Sequence, residues 1–179
     1  MRTVSQTKQY QATLASSTSP VDVEDKTVSQ SRIRELIEAG RYQEAYKQFP
    51  EFTHNDEQRN DRAVCLLRMH DFASSILELR KLVLDKSGVW SRTDLPGYMK
   101  VNFATALFFG GHPSGAADVL TEVHCESENS ALPLLQAIKQ WKSRMNWLQR
   151  LGWNLANVLP TVKPEVPAQP LGTFSWEWK

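Results

Sequence analysis

Apolar residues recur at three- and four-residue spacing in six short runs, the mark of helices with one buried face. Ile33, Leu36 and Ile37 form the first run and Tyr42, Ala45, Tyr46 and Phe49 the second, with Gly40 between them and Pro50 after. Ala63, Val64, Leu66 and Leu67 form the third, and Phe72, Ile76, Leu79, Leu82 and Val83 the fourth, across a His70-Asp71 turn. The last pair is Tyr98, Val101, Ala104, Leu107 and Phe108, then Ala116, Ala117, Val119, Leu120 and Val123, across Gly110-Gly111-His112-Pro113. Glycine just past an apolar run ends a helix because it tolerates the left-handed backbone conformation, and Ser29 or Ser31 is placed to cap the first helix. From Ala131 the pattern predicts one longer helix, with Leu134, Ile138, Trp141, Met145 and Leu148 on one face and Lys139, Lys142, Arg144 and Arg150 largely elsewhere. Gly152 weakens this helix and Pro160 ends it.

The flanks read differently. Residues 1–28 carry few large apolar side chains beyond Tyr10 and Leu14 and are expected to form a flexible arm. Residues 29–158 form the helical domain, and residues 159–179 an extended tail, Pro-rich at first and ending Phe174-Ser175-Trp176-Glu177-Trp178. Asp85–Gly97 is a longer connection, and Trp90 within it is expected to pack on a neighbouring hairpin.

The three turns echo one another. Gly40-Arg41-Tyr42, His70-Asp71-Phe72 and Gly111-His112-Pro113 are each followed, three positions on, by a small residue, namely Ala45, Ser75 and Ala116. Four positions later comes a large apolar one, Phe49, Leu79 or Leu120, and Ala63 and Ala104 supply the small residue of the preceding helix. This pattern resembles the tetratricopeptide repeat family, whose units are helix, tight turn and helix. The departures are the spacing of the turns, no early Trp in any unit, and Ile33 where the first unit would have a small residue. The resemblance covers roughly residues 29–125. It implies an all-α stack of about three hairpins, covered at its end by the long C-terminal helix. A different all-α bundle with hairpin connections would leave similar marks.

Composition narrows the function. The 179 residues are 41% hydrophobic and 23% charged, with a net charge of +1, which is no footprint of a nucleic-acid binder. Two cysteines, Cys65 and Cys125, are too few for a disulfide framework and sit among apolar residues, as small buried hydrophobes do. No apolar run reaches the about 18 residues of a membrane span, there is no signal-peptide pattern, and the cytoplasm is the default location.

Candidate chemistry is non-catalytic. His54, His70, His112 and His124 are scattered over turns, and His124-Cys125 lacks a second ligand pair, so no metal site is expected. There is no phosphate-cradling loop and no Gly-x-Ser-x-Gly elbow, so neither catalytic residues nor a cofactor is expected. The resemblance implies a concave groove lined by the first helix of each hairpin, receiving a partner protein or peptide. Here that face carries Arg34, then Asp61, Val64 and Arg68, then Asn102, Thr105 and Phe109. An amide such as Asn102 both donates to and accepts from a peptide backbone, and Arg68 suits a carboxylate. The family's carboxylate-clamp positions hold Gln30, Asn60 and Val101, which does not support that specific activity. Phe174, Trp176 and Trp178 would share one face of an extended strand and dock either on the hairpins or on a partner. The basic, Trp-containing stretch 131–153 leaves a membrane-surface role as a lesser alternative.

Overall fold

A computed structural model describes residues 30–51, 53–85, 87–88, 91–123, 128–156 and 160–178. The arm predicted for residues 1–28, Trp90, His124 and Cys125 lie outside the described residues. The described chain is all-α. Its helices are α1 (residues 30–38), α2 (Tyr42–Gln48), α3 (Asp56–Arg68), α4 (Phe72–Val83), α5 (Gly97–Phe109), α6 (Pro113–Thr121), α7 (Glu128–Ser143) and α8 (Trp147–Ala156). Among the described residues the β-structure is one isolated antiparallel bridge, Leu84 to Ser91, which staples the base of the long connection.

The three echoed turns share one backbone geometry. In each, a residue with positive φ follows a helix, at Gly40 (72°), His70 (61°) and Gly111 (88°). The next amide reaches back to a carbonyl five residues earlier: Arg41 N–H to Leu36 O at 2.8 Å, Asp71 N–H to Leu66 O at 3.0 Å, His112 N–H to Leu107 O at 2.8 Å. These are Schellman closures, which satisfy otherwise orphaned helix-end carbonyls. The following helix then starts at once. Asp71 Oδ1 caps α4 by accepting from Ser74 N–H, and Pro113 opens α6, where its missing N–H costs nothing. Asn55 Oδ1 caps α3 through Glu57 and Gln58 N–H.

Ala45, Ser75 and Ala116 are wholly buried, as small residues at helix crossings should be, and Ser75 Oγ donates to Ala63 O at 3.1 Å. Neighbouring helices pack in chain order from α2 to α6, while α5 also touches α3 and α7. The central α5 is apolar almost all round and buried on nearly every side, as a helix enclosed by others must be. Two apolar clusters result. The larger joins α3 to α8 around Leu67, Leu79, Met99 and Phe108, and the smaller gathers Ile33, Ile37, Ala45, Phe49, Val64 and Cys65.

The structure corrects the single C-terminal helix. α7 ends at Ser143 and α8 begins at Trp147, and Asn146 starts the second helix by trading bonds with Gln149. The break resets the helical phase. Trp141 and Met145 are buried as expected, but after the break Trp153 is buried whereas Leu148, expected on the apolar face, is exposed, as are Trp147, Leu151 and Leu155.

Candidate functional site

α3 and α5 lie beside each other on one side of the stack, and the C-terminal segment crosses both. Its course begins where Trp141 Nε1 donates to Val162 O at 2.6 Å, with a flanking Arg144–Glu165 ion pair. Pro167, Pro170 and Leu171 then follow a narrow cleft walled by Val101, Asn102, Thr105 and Phe109 of α5 and by Leu134 of α7. From there the segment passes over α3 to Arg34 of α1 at Trp176, and its last turn brings Glu177 back to Arg68 and Trp178 back to Tyr98.

Each step of that crossing is held by side chains. Arg68 Nε donates to Leu171 O at 2.9 Å and its Nη2 to Gly172 O at 3.1 Å. Asn102 receives Thr173 N–H at 2.8 Å on Oδ1 and returns Nδ2–H to Thr173 O at 2.8 Å. Asn60 steadies Asn102: its Oδ1 accepts Asn102 Nδ2–H at 2.8 Å, while its own amide nitrogen donates to Asp61 Oδ1 and Thr173 O. Asp61 accepts Ser175 N–H at 2.8 Å and Ser175 Oγ–H at 2.7 Å. Asp61 and Asn102 hold equivalent places, each eleven residues before the first residue of the next helix, Phe72 or Pro113. One hairpin along the stack therefore corresponds to two residues along the segment.

Apolar anchors supply the burial. Phe174 is wholly buried and completes the smaller cluster beside Val64 and Cys65, and Leu171 joins the larger one. Trp176 stacks on Phe174 with ring centroids 4.7 Å apart, and the Arg34 guanidinium sits 5.1 Å from the Trp176 ring. Arg68 lies 4.8 Å from the Phe174 ring and pairs with Glu177 at 3.1 Å. Gly172 has φ of 76° and is pressed so close that an added Cβ would stand 3.0 Å from Leu67 Cδ1, 3.2 Å from Val64 Cγ1 and 3.3 Å from Asn102 Oδ1.

The extended strand expected for Phe174, Trp176 and Trp178 is replaced by a turn. Glu177 N–H bonds Phe174 O at 3.1 Å, and Glu177 Oε2 accepts Phe174 N–H at 2.9 Å. The carboxylate satisfies the amide that a strand would leave without a partner. The turn swings Trp178 away from its two neighbours to stack on Tyr98 at 5.0 Å.

Burial sets the electrostatics. Desolvation pushes the Asp61 carboxyl up to about 6, against the pull of its Ser175 and Asn60 hydrogen bonds. Burial, then the nearby Asp61 charge, raises the Cys65 thiol to about 12, leaving it without nucleophilic character. Burial likewise raises the Tyr98 phenol. Among the described residues no three His, Cys, Asp or Glu side chains gather where one ion would reach them.

All seven groove residues expected from the sequence face the segment or line its cleft: Arg34, Asp61, Val64, Arg68, Asn102, Thr105 and Phe109. Thr105 contributes wall only, its hydroxyl being returned to Val101 O, and Phe109 stacks on Phe72. Sequence reasoning missed Asn60, Gly172 and Glu177. The family resemblance puts Asn60 only at a carboxylate-clamp position. No sequence signal marks it, because the burial that obliges its amide to find partners comes only with the fold. No family model, curated protein or solved structure matches this chain.

Proposed function

We propose that this chain is a non-catalytic protein-interaction module of tetratricopeptide-like build. Its α3–α5 groove docks an extended peptide, and its own segment 169–178 is the resident occupant, excluded only when a competing segment takes its place. The observation that carries this reading is the paired hydrogen bonding of Thr173 by Asn102. A side chain that reads a backbone donor and acceptor together is suited to any extended chain, whatever its side chain at that position. The test uses the full-length chain with Phe174→Ala, which removes the main anchor of the resident segment. A labelled peptide of residues 169–178 should bind this variant far more tightly than the wild type, where only an excess displaces the resident segment, with helicity unchanged by circular dichroism. Failure to bind a variant that keeps its helicity overturns the reading.

A second reading rests on α8. Trp147 and Leu155 are 72% and 78% exposed, and with Leu148 and Leu151 they form one stripe opposite the buried Trp153. Residues 129–164 hold five Lys and Arg and no Asp or Glu, in a chain whose net charge is +1. An exposed Trp and Leu stripe flanked by basic residues suits an anionic lipid surface. No helix among the described residues is long and apolar enough to cross a membrane. Cosedimentation with phosphatidylglycerol vesicles, lost with Trp147→Ser and Leu155→Ser and absent with phosphatidylcholine alone, would support surface attachment. Equal sedimentation of the variant and the wild type would exclude it.

A further inference from the structure

We infer that the groove selects its ligand by a Gly-x-Phe-Ser pattern, read at the positions of residues 172–175, so that the competing partner is a protein carrying such a segment. This rests on the reading of the groove as a docking site and adds the rule of selection.

Glycine is required first. The backbone at 172 adopts φ of 76°, where an L side chain is strained, and a Cβ there would meet Leu67, Val64 and Asn102 within 3.0–3.3 Å. The next position is read through its backbone alone. Asn102 takes both peptide groups of Thr173, while the Thr173 side chain makes none of the hydrogen bonds at the site. Phenylalanine follows because the socket beside Val64 and Cys65 is apolar and closes completely over the ring, with the Arg68 guanidinium against it.

The fourth position is set by charge. Asp61 is buried and accepts both the amide and the hydroxyl of Ser175. A small hydroxyl residue satisfies it, and an acidic or phosphorylated one would bring like charge against a desolvated carboxylate. Proline is excluded at three successive positions, since the amides of Thr173, Phe174 and Ser175 donate to Asn102, Glu177 and Asp61. Two further positions add affinity with looser selection. An aromatic ring after the serine stacks on the phenylalanine beneath Arg34, and an acid after that pairs with Arg68.

The experiment titrates the full-length Phe174→Ala chain with labelled decapeptides of the 169–178 sequence. Glycine to L-alanine at 172 should weaken binding by more than about tenfold, since steric contact adds to backbone strain. Phenylalanine to alanine at 174 should weaken it on the order of a hundredfold. Serine to glutamate at 175 should cost about tenfold. Threonine to alanine at 173 should stay within about threefold. In case Phe174→Ala perturbs the fold, the same peptides are added in excess to the wild-type chain. Displacement of the resident segment, read as faster deuterium exchange at the amides of 173–175, should follow the same ranking. Parent and variant peptides acting equally overturns the selection rule and leaves docking intact. No binding by any peptide to a helical variant, with no displacement in the wild type, overturns docking itself.

Discussion

Asn102 and Thr173 exchange two hydrogen bonds of 2.8 Å across 71 residues of sequence, and Asn60 holds the amide that makes both. Asn102 and Asn60 are wholly buried and Thr173 is half-buried, so removing Asn102 strands a buried acceptor and a partly covered amide. Asn102→Ala leaves Thr173 N–H and Asn60 Oδ1 without their partners, and unsatisfied buried groups cost about 1–3 kcal/mol each. The expected loss of stability is about 2–4 kcal/mol by urea denaturation. A loss below 0.5 kcal/mol, roughly the scale of an ordinary surface substitution, would show that the pair is incidental.

Phe174→Ala empties a socket in the smaller core, and a buried Phe truncated to Ala typically costs about 3–5 kcal/mol. Cys65 shares that cluster and is wholly buried. In a Cys125→Ser background, where Cys65 is the remaining thiol, modification by a disulfide reagent should be very slow in the parent and much faster once Phe174 is replaced. Equal rates in the two proteins would mean that the segment does not shield the thiol.

Asp61 gives the docked chain a distinct pH response. Its carboxyl is raised from 3.8 to about 6 by burial, so the folded state binds the proton more tightly than the unfolded state. The stability this group contributes is fully present below about pH 3.8, falls between there and about pH 6, and is absent above. A shift of this size corresponds to roughly 2–3 kcal/mol. Asp61→Asn removes the titration and keeps an acceptor for Ser175 N–H. The difference in stability between parent and variant should therefore move in favour of the variant between pH 4 and pH 7, the two being compared by denaturation at each pH. A pH-independent difference would contradict the assignment.

Gly172 and Gly40 have nearly the same φ, 76° and 72°, in different surroundings. An added Cβ at Gly40 meets nothing within 4 Å, whereas at Gly172 it meets three side chains. Alanine at Gly40 should cost only the backbone strain of about 1–2 kcal/mol. Alanine at Gly172 should cost measurably more, and matched thermal melts of the two variants separate the steric part from the conformational part.

The helices and their turns were legible because their causes are local. Gly40, His70 and Gly111 occupy one geometric role, and the spacing to Ala45, Ser75 and Ala116 follows from it. The break between α7 and α8 was not legible. Asn146 starts a new helix inside a run whose apolar spacing still looks continuous, and periodicity counts spacing without detecting caps. The positions facing the segment followed from the family resemblance, which puts the first helix of each hairpin on that side. The turn at the chain's end did not, because Glu177 reaching back to Phe174 N–H competes with a strand that alternation alone favours. Asn60 was passed over because its partners, Asn102 and Thr173, lie 42 and 113 residues away.

Arg68 and Asp61 meet the terminal segment across 103 to 114 residues of sequence. During synthesis, α3 and α5 therefore leave the ribosome before the residues that cover them exist. Contacts so remote form late, after the local hairpins have closed. Substitutions at Phe174 or Gly172 should hasten unfolding and leave refolding nearly unchanged in stopped-flow chevrons. A newborn molecule thus passes through an interval in which this cleft stands uncovered.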